Sequence, residues 1–172
     1  GFFLRGTPDQ GYIPGFDAVE RTVSVGVEVK KRAAAVRAVT DARVSGLRVT
    51  VGVERNAHTQ DNGDTLAAQT ALVVELVGNS GVAKSLSVSF TEKSGGVYYE
   101  DVLFDELPST PFNIRVIRAT EDSSSDRVQN KTFFASYTEI TDAKLSYPYT
   151  AIAAIAADSD QFGSNNPRRN YL

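Results

Sequence analysis

Valine at every second position constrains this chain more than any other feature. From Thr22 onward, Val23, Val25, Val27 and Val29 alternate with Ser24, Gly26, Glu28 and Lys30. Side chains of an extended strand point to opposite faces in turn, so this pattern sets a valine face against a core and a polar face in water. Leu47, Val49, Val51 and Val53 repeat it against Arg48, Thr50 and Glu54. Leu86, Val88 and Phe90 do so against Ser85, Ser87 and Ser89, and Phe112, Ile114 and Val116 against Asn113 and Arg115. Ala71–Val77 is apolar on both faces except at Glu75, as a central strand should be. Val97–Leu107 alternates but changes phase near Val102, where a bulge is expected. Thr132–Lys144 and Thr150–Ala157 supply the last two strands. Strands at roughly ten-residue intervals, separated by Gly, Asn, Ser and Asp clusters, predict an all-β chain folded as an antiparallel sandwich or barrel.

Lys30–Ala42 is the one stretch with competing signals. Its residues are good helix formers, yet only Val36 and Val39 stand at helical spacing. The expectation is a strand over Ala34–Thr40 and a short helical turn over Thr40–Ser45. Gly1–Arg21 is rich in glycine and proline, with turns expected at Thr7–Asp9 and Ile13–Gly15. Composition shifts to small apolar residues beyond Tyr147-Pro148.

Composition narrows the chemistry. The 172 residues hold no cysteine, one histidine and a net charge of −3. Disulfides, thiolate metal sites, cysteine nucleophiles and two-histidine metal sites are excluded, and any Ser-His-Asp triad would run through His58. The balance of charge gives no long-range pull toward nucleic acid or anionic membrane. The longest apolar run, Thr150–Ala157, is far below the ~20 residues a membrane helix needs. No signal peptide opens the chain, and the absence of methionine, with Gly1 first, makes a piece of a longer protein the expectation.

Several clusters admit a chemical reading and a plainer one. Asp122, Ser124 and Asp126 have the alternation of calcium-loop ligands, but without the loop glycine and distal glutamate they read as a solvated hairpin loop. Asp61, Asn62 and Asp64 around Gly63 read as a tight turn, and His58 as an exposed loop residue. Lys30, Lys31, Arg32 and Arg37, and separately Arg168-Arg169, read as solvated faces or inter-subunit salt bridges. Tyr98, Tyr99, Phe133, Phe134 and Tyr137 lie on strands, where adjacent aromatics face opposite ways. Asn130-Lys131-Thr132 fits a glycosylation acceptor by chance. No catalytic, cofactor-binding or metal-binding residues are assigned.

Three segments carry a family resemblance: PFNIRVIR at Pro111–Arg118, QNKTFFASYTEI at Gln129–Ile140, and DSDQFGS at Asp158–Ser164. Together they resemble the central tail-hub, or host-specificity, proteins at the tail tip of lambda-like siphophages and prophages. The resemblance implies a fibronectin- or immunoglobulin-like β-sandwich from the N-terminal part of a much longer protein. It divides the chain into a lead-in arm (1–21), a sandwich (22–147) and the first strands of an adjoining hub β-domain (148–172). It implies a structural role in tail assembly, host attachment and DNA delivery, with no enzyme activity and no cofactor. The implied partners are other tail-tip and tail-tube proteins and two further copies in a homotrimer. Contact with the bacterial surface would be indirect, and no sequence-specific nucleic acid is involved. The location would be the virion, after synthesis in the bacterial cytoplasm. The competing expectation is a β-sandwich carbohydrate- or receptor-binding module, which would gather exposed aromatics on one face.

Overall fold

The computed structural model describes residues 2–4, 7–8, 18–142, 149 and 151–154. The chain divides into two compact units, one of Gly1–Asp17 with Lys144–Leu172 and one of Ala18–Ala143. In the first, β1 (Phe2–Leu4) pairs antiparallel with β13 (Ile152–Ala154), Phe3 lying opposite Ala153. The Ile13–Gly15 turn, the DSDQFGS segment and Arg168-Arg169 lie outside the described residues.

The larger unit holds two four-stranded antiparallel sheets. One runs β2 (Ala18–Val29), β12 (Thr132–Asp142), β4 (Gly46–Glu54), β9 (Val97–Phe104). The other runs β3 (Ala35–Val39), β10 (Phe112–Arg118), β7 (Thr70–Gly78), β8 (Gly81–Phe90). A small third sheet joins β11 (Val128–Gln129), β5 (Ala57–Thr59) and β6 (Thr65–Ala67). The alternating residues meet between the two large sheets in one core. Leu47, Val49, Val51 and Val53 of β4 are fully buried there, with Leu72, Val74 and Leu76 of β7, Ile114 and Val116 of β10, and Phe134 of β12. Each such side chain contributes about 1.5–3 kcal/mol, against about 0–1 kcal/mol for an exposed ion pair, so the core dominates stability. β7 sits inside its sheet between β10 and β8, as its two-faced apolar pattern requires.

Four local expectations are corrected. No helical turn forms over residues 40–45. The Val44 N–H closes a single turn on the Asp41 carbonyl at 3.3 Å, and the Asp41 carboxylate accepts from the Arg43 backbone N–H at 3.0 Å. An acceptor side chain one residue before a turn satisfies the backbone without a helix. No bulge interrupts β9 at Val102; β9 pairs with β4 in unbroken register from Leu47↔Phe104 to Glu54↔Val97. The phase change arises because both faces carry apolar residues: Val102 and Phe104 inward, Tyr99 and Leu103 outward. The irregularity falls on β12 instead, between Phe134 and Ser136. Opposite it, β2 spends two residues, Val25 and Gly26, on the single Ala135. Gly26 takes φ +61°, a conformation that strains residues bearing a Cβ. Third, β2 begins at Ala18 rather than Thr22. Its first four residues bury no side chain and are held by the β12 ladder and by Arg21–Glu139 and Arg48–Glu20 ion pairs. The fourth correction concerns β8, described with the site below.

The same turn yields a prediction. Side-chain and backbone hydrogen bonds from Arg43, the guanidinium at 2.8 Å, lower the Asp41 carboxyl from 3.8 to about 2. A depressed carboxyl contributes its stabilisation above 3.8 and loses it as pH falls toward 2. An NMR titration of Asp41 should give a midpoint of about 2, moving up toward 3.8 in Arg43→Ala.

Candidate functional site: a polar cap and an open flank

One end of the sandwich is closed by buried polar groups. The Asn56 amide donates to the carbonyls of Phe90 and Glu92 at 2.8 and 3.0 Å and accepts from the Thr70 hydroxyl at 2.7 Å. The Asn130 amide donates to Thr70 Oγ1 at 3.1 Å. Arg118, only 3% exposed, sends its guanidinium to the carbonyls of Asn130 (2.7 Å), Thr120 and Glu121 (both 3.2 Å). Burial works against its charge, and Asp122 (3.4 Å) and Glu28 work for it. The Thr132 hydroxyl completes the cap, donating to the Val29 carbonyl at 2.6 Å. Buried polar groups stabilise a fold only when paired, and here they tie the ends of β2, β7, β8 and β10 to the chain around β11. No single stretch of sequence announces this cap, whose partners are 60 residues apart in the Asn130–Thr70 bond and 103 apart in the Thr132–Val29 bond.

One flank of the sandwich stays open. β8 and β9 are the outer strands of their sheets on the same side. At one end Phe90 and Tyr98 seal the gap edge to face, centroids 5.9 Å apart and planes at 87°. At the other end the Lys84 ammonium and Glu106 carboxylate meet at 2.5 Å. Between them runs a shallow groove lined by the run from Leu86 to Ser89 on β8 and from Glu100 to Leu103 on β9. Leu86 lies opposite Val74 and so faces inward, yet it is 43% exposed because no strand beyond β9 covers it. Leu103 is 63% exposed on the outer face of β9. The expected Leu86–Val88–Phe90 core face is thus fully buried only at Phe90.

The other singled-out residues are accounted for by ordinary structure. His58 is exposed, but on β5 between Val128 and Leu66 rather than in a loop. Asp61 and Asn62 form the β5–β6 turn, closed by the Gly63 N–H on the Gln60 carbonyl at 3.0 Å, with Gly63 at φ +88° and the Asp64 N–H donating to Asn62 Oδ1 at 3.0 Å. Asp122 accepts from the Lys31 N–H at 3.1 Å and pairs with Arg118. Lys31 in turn pairs with Glu121 at 3.6 Å. Among the described residues no three carboxylates or histidines cluster as metal ligands. Phe134 and Tyr137 are buried together with centroids 6.2 Å apart, while Phe133, facing the other way, is half-buried. Tyr98 and Tyr99 are both exposed but on opposite faces of β9.

Two antiparallel sheets, one apolar core and a polar cap define an all-β sandwich of the fibronectin type III kind. The model of the FNIII-A domain of tip attachment protein J matches residues 19–143, and the chain belongs to that family. Tip attachment protein J of Escherichia phage SECphi4 is 32% identical over 168 residues, and that of Escherichia phage SECphi27 is 29% identical over 167. Each alignment covers 96% of this chain, which spans 15% and 14% of the two relatives' lengths.

Proposed function

We propose that this chain is a structural module of a siphophage tail tip, part of the central hub through which a tail assembles, attaches to its host and delivers DNA. The observation that carries the reading is the coincidence of the family match, residues 19–143, with the compact unit Ala18–Ala143. The relatives' name, tip attachment protein, is what points to the tail tip. The module acts by packing rather than catalysis. Its partners are other tail-tip and tail-tube proteins and, in the full-length protein, two further copies. The chain ahead of β2 serves as a lead-in arm, and residues 148–172 begin the adjoining hub domain. Its place is the virion, reached after synthesis in the host cytoplasm. The aromatics support this over a glycan-binding module: Phe134 and Tyr137 are buried, and the exposed Tyr98 and Tyr99 do not share a face.

An in-frame deletion of residues 18–143 from the full-length protein tests the reading. It should abolish plaques and leave particles without a finished tail tip in electron micrographs. Normal plaque numbers would contradict it.

A further inference from the structure

Of the four outer strands of the two large sheets, β9 alone is long, regular and free of lysine and proline, its charges being the acidic Glu100 and Asp101. Sheet edges present unpaired N–H and C=O groups, and proteins blunt them with lysine, proline, bulges or short strands. β8 carries Lys84 and a register shift between Leu76 and Val77. β2 carries the Val25-Gly26 irregularity, and β3 is only five residues long and bears Arg37. β9 is eight residues long, regular in its pairing with β4, and holds no lysine or proline. Among the described residues nothing pairs with its other side.

The geometry points to β9 as a strand-addition site for an extended segment of another protein whose side chains alternate aliphatic and basic. A strand laid on the free edge of β9 continues its sheet alongside the groove that β9 shares with β8. Alternate side chains of that strand then cover Leu86, 43% exposed, and the partly buried Val88. The remaining side chains stand beside Asp101 and Leu103 on the outer face. Charge selects the partner. Glu100 and Asp101 lie on β9, with Asp105 and Glu106 just beyond it; Lys84 is the one cation lining the groove, and on the outer face Arg48, opposite Leu103, is paired with Glu20. Two copies joined through β9 would set Glu100 and Asp101 of each against those of the other, so the acidic edge disfavours self-pairing and accepts a basic strand.

The test uses the 172-residue chain, labelled with 15N, and a capped peptide of about ten residues alternating valine and lysine. A matched peptide with glutamate for lysine is the control. The lysine peptide should perturb amides of β9 and of residues 84–88 and slow hydrogen exchange at alternate β9 amides. The glutamate peptide should do neither. Leu103→Lys places a lysine on an exposed edge position without touching the core and should weaken binding about tenfold. Binding of both peptides alike, perturbation confined to other strands, no perturbation, or an unchanged affinity in Leu103→Lys would each overturn the assignment. The virion location of the module stands or falls separately, by the deletion above.

Discussion

Arg118→Ala should lower the unfolding free energy by about 3–4 kcal/mol, the largest effect of any single polar substitution in the cap. The guanidinium is 3% exposed and holds the carbonyls of Thr120, Glu121 and Asn130. Alanine removes the donors and leaves the acceptors facing a void, which costs more than the net value of the bonds themselves. It also strips Asp122 of its 3.4 Å partner, though that carboxylate is 42% exposed and water recovers most of the loss. Arg118→Lys keeps the charge but not the planar fork, so it should lose about half as much. Urea unfolding followed by circular dichroism measures both, and the slope should stay constant if only stability changes. A loss below about 1 kcal/mol in Arg118→Ala would mean that water enters the cap and replaces the arginine.

Phe134→Ala should cost about 3–5 kcal/mol, whereas Phe133→Ala should cost about 1 kcal/mol. The two are neighbours in sequence, but Phe134 is fully buried against Tyr137 and Phe133 is half-buried on the opposite face. Removing the inner ring forfeits its contacts and opens a cavity that two paired sheets cannot close by shifting. Phe134→Leu should cost less than half as much, because most of the volume remains. The same unfolding experiment decides it. Equal losses at the two positions would contradict the observed facing of β12.

The strands were readable because alternation is local: Leu47 to Val53 points inward by its own spacing, wherever the partners lie. What failed to read was set by distance. Leu86 fits the inward pattern and does face inward, but how far the opposite sheet extends is fixed by strand order, which no local pattern encodes. The irregularity was expected near Val102, where apolar residues on both faces mimic a phase change, and it occurs at Ala135 and Gly26, where the valine alternation passes through undisturbed. The turn after β3 resembled a helix by composition, and one Asp41 carboxylate sufficed to make it a simple turn. No local pattern marks the polar cap, because Asn56, Thr70, Arg118 and Asn130 each sit in stretches that look like ordinary turns or strand ends. The candidate clusters around Asp122 and Asp61 were legible as loops, and their carboxylates are engaged by Lys31, Arg118 and Arg127. The β9 edge combines an absence of lysine and proline, visible in sequence, with an unpaired position in the sheet, visible only in the fold.

The most direct measurement is immunogold electron microscopy of virions that carry the full-length protein, using antibodies raised against residues 18–143. Gold at the distal end of the tail, in every labelled particle, is the predicted result. Gold on the capsid or along the tail shaft, or virions free of label while the antibody recognises the protein in host lysate, would contradict a tail-tip structural role.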